Sequence, residues 1–251
     1  MLLAIDIGNT NTVLGIFEGD RLMRSWRVKT DARNTADELM LTFTGLLQDV
    51  PVTGISSCST VPAALRELRV MLSRYWPEVP TVLVEPGIKT GVALLFDNPK
   101  EVGADRIVNT LAAFHLVNGP AIVVDFGTST NFDVVSGKGE FLGGALAPGI
   151  EISLDALAAR AAQLRKVELI APRSPIGKNT VEALQSGILY GFAGQVDGMV
   201  RRIARELDEH PVVIATGGLS PLMMGVCDTL DHLEPDLTLI GLRLVFEKNL
   251  P

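Results

Sequence analysis

Two short stretches carry side chains that could handle phosphate and a cation. The first is Asp6-Ile7-Gly8-Asn9-Thr10-Asn11-Thr12-Val13, set between the apolar runs Leu2–Ile5 and Leu14–Phe17. Branched apolar residues on both sides predict two strands joined by a turn. Gly8 lets the backbone turn tightly and lets an oxygen-rich group come close. Backbone N–H groups with Asn and Thr side chains can cradle phosphate, and a strand-end carboxylate can hold a cation directly or through water. An ordinary hairpin turn would read the same way. The plan returns, however, at Ala121–Val135, where an apolar run leads to Asp125-Phe126-Gly127-Thr128, then hydroxyl residues, then a second strand. Two such hairpins about half a chain apart suggest a duplicated domain with a nucleotide between its halves.

Further polar groups punctuate the chain. Gly103-Ala104-Asp105-Arg106 opens a helix whose apolar side is Ile107, Val108, Leu111, Ala112 and Phe114. Locally, Asp105 reads as a first-turn charge favoured by the helix dipole and Arg106 as a surface cation. Gly177-Lys178-Asn179-Thr180 precedes a long helical stretch over 181–207, and Asn179 with Glu182 has the spacing of a capping box. Capping accounts for Asn179 and leaves Thr180 without a local reason. Gly143–Gly149 is so rich in glycine that it reads as a loop passing close to a ligand or another backbone, or as a tight strand-to-helix connection. A strand over 212–216 ends in Gly217-Gly218.

Taken in order, Asp6–Thr10, Gly103–Arg106, Asp125–Thr128, Gly143–Gly149, Gly177–Thr180 and Thr216–Gly218 resemble the type III pantothenate kinases. That family lies in the actin, sugar kinase and heat-shock ATPase superfamily. The resemblance implies an α/β chain with a duplicated, actin-like (ribonuclease H-like), two-lobed ATPase fold of mixed sheets flanked by helices. Its N-terminal lobe would be 1–117 and its C-terminal lobe 118–251. The activity implied is phosphorylation of pantothenate by ATP, the first step toward coenzyme A. Carried over by motif, Asp6, Ile7, Gly8, Asn9, Thr10, Asn11, Thr12, Val13 and Thr128 would bind ATP, with magnesium. Asp105 would be the general base. Phe96, Gly103, Ala104, Asp105, Arg106 and Thr180 would bind pantothenate, and Asp125 a monovalent cation, potassium or ammonium. Gly217-Gly218 would lie near the adenosine.

The sequence departs from the family pattern at Asn131 and Ser129, where many relatives have threonine and alanine, and at Phe96, where tyrosine is common. These departures bear on activity level more than on fold. A nucleotide-binding regulatory homologue without turnover, or a kinase of another small metabolite, are the competing readings. Retention of Asp6, Asp105 and Asp125 argues against the first.

The remaining elements must carry these groups. Leu22–Val28 reads as a third strand after a turn at Gly19-Asp20. Thr35 with Glu38 signals a helix start. Short strands are expected over 54–57 and 81–84, and a helix over 62–75. Ser56-Ser57-Cys58-Ser59-Thr60 reads as a turn that caps that helix. Helices are also expected over 151–164, with Arg160, Arg165 and Lys166 as a basic edge, and over 239–248. In the long helix Gly187, Gly191, Gly194 and Gly198 form one stripe, each costing about 1 kcal/mol relative to alanine. A closely approaching helix, within the fold or across a dimer, would offset that cost, and the family resemblance implies a homodimer.

The 251 residues suffice for a large core. A hydrophobic share of 47% with 20% charged residues is ordinary for a soluble globular protein. The net charge of −7 argues against a nucleic-acid partner and makes local cations necessary for anionic ligands. Arg106, Lys100, Arg173 and Lys178 lie beside the motifs. Cys58 and Cys227 have neither metal spacing nor a disulfide framework and read as small buried residues. His115, His210 and His232 belong to no metal motif. No leader pattern or membrane-length apolar run is evident, so the expected location is cytoplasmic, away from membranes.

Overall fold

The computed structural model describes residues 1–160, 167–207 and 209–250. By contacts the chain divides into two compact units, Met1–Ala112 with Leu237–Pro251, and Ala113–Asp236.

In the first unit, strands β1 (Leu2–Ile7), β2 (Asn11–Glu18) and β3 (Arg21–Lys29) form an antiparallel meander. Helix α1 (Ala36–Leu47) follows, started by the expected capping box: Glu38 N–H donates to Thr35 Oγ1, and Thr35 N–H donates to the Glu38 carboxylate at 2.8 Å. Strand β4 (Gly54–Ser59), helix α2 (Pro62–Tyr75) and strand β5 (Thr81–Leu83) come next, with β4 parallel to both β1 and β5. A single 3₁₀ turn, Pro99–Glu101, leads into helix α3 (Ala104–Val117). The sheet order is β3-β2-β1-β4-β5.

Period-two alternation along β1 divides its side chains between two cores. Leu3, Ile5 and Ile7 pack with Phe43, Leu68 and Met71 of α1 and α2. Ala4 packs on the other face with Cys58, Val108, Leu242 and Val245.

The second unit repeats this plan. Strands β6 (Ala121–Phe126), β7 (Ser129–Val135) and β8 (Phe141–Pro148) form a second antiparallel meander. Helices α4 (Ile150–Arg160) and α5 (Thr180–Ala204) follow, then strand β9 (Val212–Thr216), helix α6 (Ser220–Met224) and strand β10 (His232–Leu233). The order β8-β7-β6-β9-β10, with β9 parallel to β6 and to β10, matches the first sheet strand for strand. The half-chain repeat read from the two Asp-x-Gly turns is thus a repeat of whole sheets.

Helix α7 (Leu237–Asn249) returns to the first unit and packs on β1, β4 and β5. A cut at 117/118 assigns it to the other half. Glycines permit its close approach: a Cβ on Gly241 would lie 2.1 Å from the Val108 carbonyl oxygen, and one on Gly54 2.4 Å from the Phe246 ring. Between them Ser56 Oγ donates to the Leu242 carbonyl at 2.7 Å.

Two local expectations change. Gly143–Gly149 is mostly strand, because an edge strand needs its backbone groups rather than its side chains for the ladder; Gly143 and Gly144 pair with Val134 and Asp133. Gly149 makes the expected close approach, its Cβ position lying 2.3 Å from the Thr128 carbonyl oxygen. Of the hydroxyl-rich segment, residues 56–59 form the end of β4 rather than a cap, since α2 starts at Pro62, with Val61 before it and no side-chain cap. The basic edge expected around 160–166 reaches beyond the described residues at Arg165 and Lys166.

Candidate active site

The β1–β2 turn is built from its ladder outward. Asp6 pairs with Val13 and Ile7 with Thr12, and Gly8 N–H closes the turn onto the Asn11 carbonyl at 3.0 Å. Asn9 and Thr10 are left exposed at the tip. The turn is braced from β3's end: Thr30 N–H donates to the Thr10 carbonyl at 3.0 Å, and the Thr12 and Thr30 hydroxyls share a 2.9 Å hydrogen bond. Gly8 therefore sits in a rigid frame beside side chains that can accept or donate hydrogen bonds.

Asp6 lies in a row across four strands, Cys58–Asp6–Val13–Arg27, all register partners and so all on one face of the sheet. Cys58 Sγ donates to Asp6 Oδ1 at 3.4 Å. Burial and the negative charge of Asp105 push the Asp6 carboxyl from 3.8 up to about 7, against smaller opposing effects of Cys58 and Arg27. A buried carboxylate whose ionisation is opposed by a second one marks a place where a cation would be welcome.

Asp105 stands in the first turn of α3, as its local reading has it, and burial raises its pKa. Its carboxylate folds back on the helix start, where the Arg106 N–H and its own N–H hold the charge partly down. Gly103 makes room for this conformation, since a Cβ there would lie 2.5 Å from Asp105 Oδ1. In the same unit, half-buried Phe96 precedes the 3₁₀ turn, and Ala104 and Arg106 flank Asp105.

In the second unit, Asp125 pairs with Asn131 and Phe126 with Thr130, and Gly127 N–H closes the turn onto the Ser129 carbonyl at 3.0 Å. Gly127 and Thr128 are exposed. Asp125 also pairs with Thr216 of β9, and the chain leaves that strand through Gly217 at φ +89°. A Cβ on Gly217 would lie 2.4 Å from Asp125 Oδ1 and 2.7 Å from the Phe126 carbonyl oxygen, so only glycine brings backbone this close to the carboxylate. Thr180 is the exposed first residue of α5. Before it, Asn179 Oδ1 accepts from Glu182 N–H at 2.9 Å, while Glu182 turns to Lys178 N–H and the Arg173 guanidinium rather than closing the box on Asn179. Arg173 is thereby committed to an ion pair. The predicted residues thus fall into a first-unit group around Asp6 and Asp105 and a second-unit group around Asp125, with Thr180 apart at the start of α5.

A model of the family described as type III pantothenate kinase matches residues 2–202. The chain belongs to the type III pantothenate kinase family. A type III pantothenate kinase from Frankia casuarinae is 69% identical over 250 residues, covering 100% of both chains, and one from Acidothermus cellulolyticus is 68% identical over 255 residues, again covering 100% of both. Among solved structures, the activator of 2-hydroxyisocaproyl-CoA dehydratase from Clostridium difficile with bound ADPNP superposes with TM-score 0.58. It covers 98% of this chain and 94% of its own at 11% identity. A ROK family protein from Streptococcus pneumoniae gives 0.54 at 14% identity, covering 98% of each. This type III pantothenate kinase family member has the actin-like sugar kinase and ATPase fold.

Sequence reasoning missed two residues of the Asp6 row. Arg27 was hidden within a strand, and Cys58 was read as core filler. The signal available for both was register, because period-two alternation from Asp6 through its neighbouring strands selects them.

Proposed function

We infer that this chain is a phosphotransferase that moves the γ-phosphoryl group of ATP to the primary hydroxyl of pantothenate, giving 4′-phosphopantothenate in the first step of coenzyme A biosynthesis. The observation that carries this is likeness to type III pantothenate kinases along the whole chain at close to 70% identity. In the reaction the hydroxyl oxygen bonds to the γ-phosphorus as the bridge to the β-phosphate breaks, and the hydroxyl proton passes to Asp105. The transition state is loose, so positioning and charge neutralisation dominate. A carboxylate whose pKa is raised by burial is a better base for that proton than an ordinary aspartate.

Residues Asp6–Val13 hold the phosphates through the Gly8 turn and its Asn and Thr side chains, and Thr128 does so from the second hairpin. Gly103, Ala104, Arg106, Phe96 and Thr180 hold pantothenate. Magnesium fits Asp6, whose donors are hard carboxylate oxygens, and among the described residues no cluster of three or more His, Cys, Asp or Glu could cage a metal by itself. A site completed by substrate phosphates is the one magnesium prefers. When bound, it neutralises charge on the transferring phosphoryl group. A potassium or ammonium ion fits Asp125 by donor chemistry, since its carboxylate and the Phe126 carbonyl oxygen, both hard oxygen donors, come together at the close approach of Gly217.

The chain acts as a homodimer. On α5, Cβ atoms added at Gly187, Gly191 and Gly194 would meet nothing within 4 Å, so among the described residues no other element covers these three positions. The cytoplasm, where ATP and pantothenate meet, is its place of action. Among the described residues no helix is long and apolar enough to cross a membrane.

The test is ADP release from ATP and magnesium, with and without pantothenate, in potassium or in sodium. Pantothenate-dependent release that requires potassium is expected. A folded protein that binds ADPNP yet releases no ADP with pantothenate would overturn the assignment.

A further inference from the structure

The end of β4 does more than fill core. Ser59 Oγ donates to the Ile7 carbonyl at 3.2 Å, Thr60 N–H donates to the same oxygen at 3.1 Å, and Cys58 Sγ donates to Asp6 Oδ1 at 3.4 Å. Cys58 and Ser59 at the end of β4, with Thr60 just after it, thus grip the last two residues of β1, immediately before the Gly8 turn. Of these bonds, the one from Cys58 reaches a side chain. Cys58 is 1% exposed, so the bond to Asp6 is made away from solvent.

We propose that Cys58 is a positioning residue for phosphoryl transfer, its thiol fixing the Asp6 carboxylate in the orientation from which it serves the divalent cation of the nucleotide. This rests on the reading of Asp6 as part of the ATP site. An aspartate has two rotatable side-chain bonds, and a donor fixed in the sheet removes the freedom that would otherwise be lost on binding. Sulfur suits the position. A thiol is a weak donor, so it orients the carboxylate without competing strongly with a cation for its charge. Cys58 reaches the reacting groups only through Asp6.

The experiment compares Cys58→Ala and Cys58→Ser with the parent protein, alone and in an Asp6→Asn background. One readout is Mn²⁺ binding in the presence of ADPNP, followed by electron paramagnetic resonance; the other is the KM for Mg·ATP set against the KM for pantothenate. Cys58→Ser keeps a donor and is expected to stay within about twofold of the parent. Cys58→Ala should weaken Mn²⁺ binding and raise the KM for Mg·ATP several-fold, leave the KM for pantothenate in place, and add nothing once Asp6 is Asn, as coupled neighbours behave. Should Cys58→Ala not fold, the serine variant decides: parent-like Mn²⁺ binding supports the proposal and weakened binding overturns it. Unchanged binding in a folded Cys58→Ala protein, or an equal loss in the Asp6→Asn background, also overturns it. Failure of the kinase assignment shows separately, as absence of pantothenate-dependent turnover in the parent protein.

Discussion

Ser129 Oγ donates a 2.7 Å hydrogen bond to Asn131 Oδ1. These are the two positions of the second hairpin at which the family resemblance implies alanine and threonine instead, and they satisfy each other. Two residues apart on β7, they share one face, and Asn131 is the register partner of Asp125. The departures are one coupled change. In urea unfolding, Ser129→Ala with Asn131→Thr should therefore cost less than the two single changes added together, by about 1 kcal/mol, the net worth of one such bond. Strict additivity would show the pair to be independent.

Asp105→Asn should abolish the base and keep the frame. The amide oxygen can still accept from the Arg106 N–H that holds the carboxylate now. Turnover should fall by about 10²–10⁴-fold, the range for losing a general base, while ADPNP binding stays near that of the parent. Full activity in this variant would remove Asp105 from the mechanism.

The raised pKa of Asp6 predicts an acid-favouring contribution to stability. Between 3.8 and about 7 the folded chain keeps a proton that the unfolded chain has released. Stability from this group is therefore greatest at the acid end, falls as pH rises through that window, and levels off above it, about 4 kcal/mol in all. Asp6→Asn should flatten the fall in unliganded protein. The same proton competes with a cation, so Mn²⁺ affinity with ADPNP should drop by up to tenfold per pH unit below about 7. Parallel stability profiles for parent and variant would exclude the shift.

The open glycine stripe on α5 separates two outcomes. If its face is free in solution, Gly187→Ala with Gly191→Ala should raise stability by about 1 kcal/mol per site, because alanine is the better helix former. If the face is a dimer contact, as proposed, the same pair should weaken association, read as a concentration-dependent mass shift in light scattering.

Where sequence patterns were local, they led directly to structure. Asp-x-Gly between apolar runs gave both hairpins, Thr35 with Glu38 gave the start of α1, and Pro62 marked the first turn of α2. Long-range choices were not legible. Nothing local tells α7 to join β1 and β4; that follows from space left by Gly54 and Gly241. The partnership of Cys58 with Asp6 depends on a parallel register between segments about fifty residues apart, set by the apolar faces of both strands rather than by either residue. Glycines in β8 misled because glycine is poor in strands on average, whereas an edge ladder held by backbone bonds tolerates it.

The return of α7 has a consequence for synthesis on the ribosome. The second unit is a continuous segment, complete in sequence before the helix that closes the first unit is made. The first unit begins earlier and is completed later. Its sheet must wait, with Ala4, Cys58 and Val108 uncovered, until Leu242 and Val245 emerge to cover them. The half of the chain made first is the half that matures last, so chaperone dependence and early truncation should fall on the Asp6 hairpin rather than on the Asp125 hairpin.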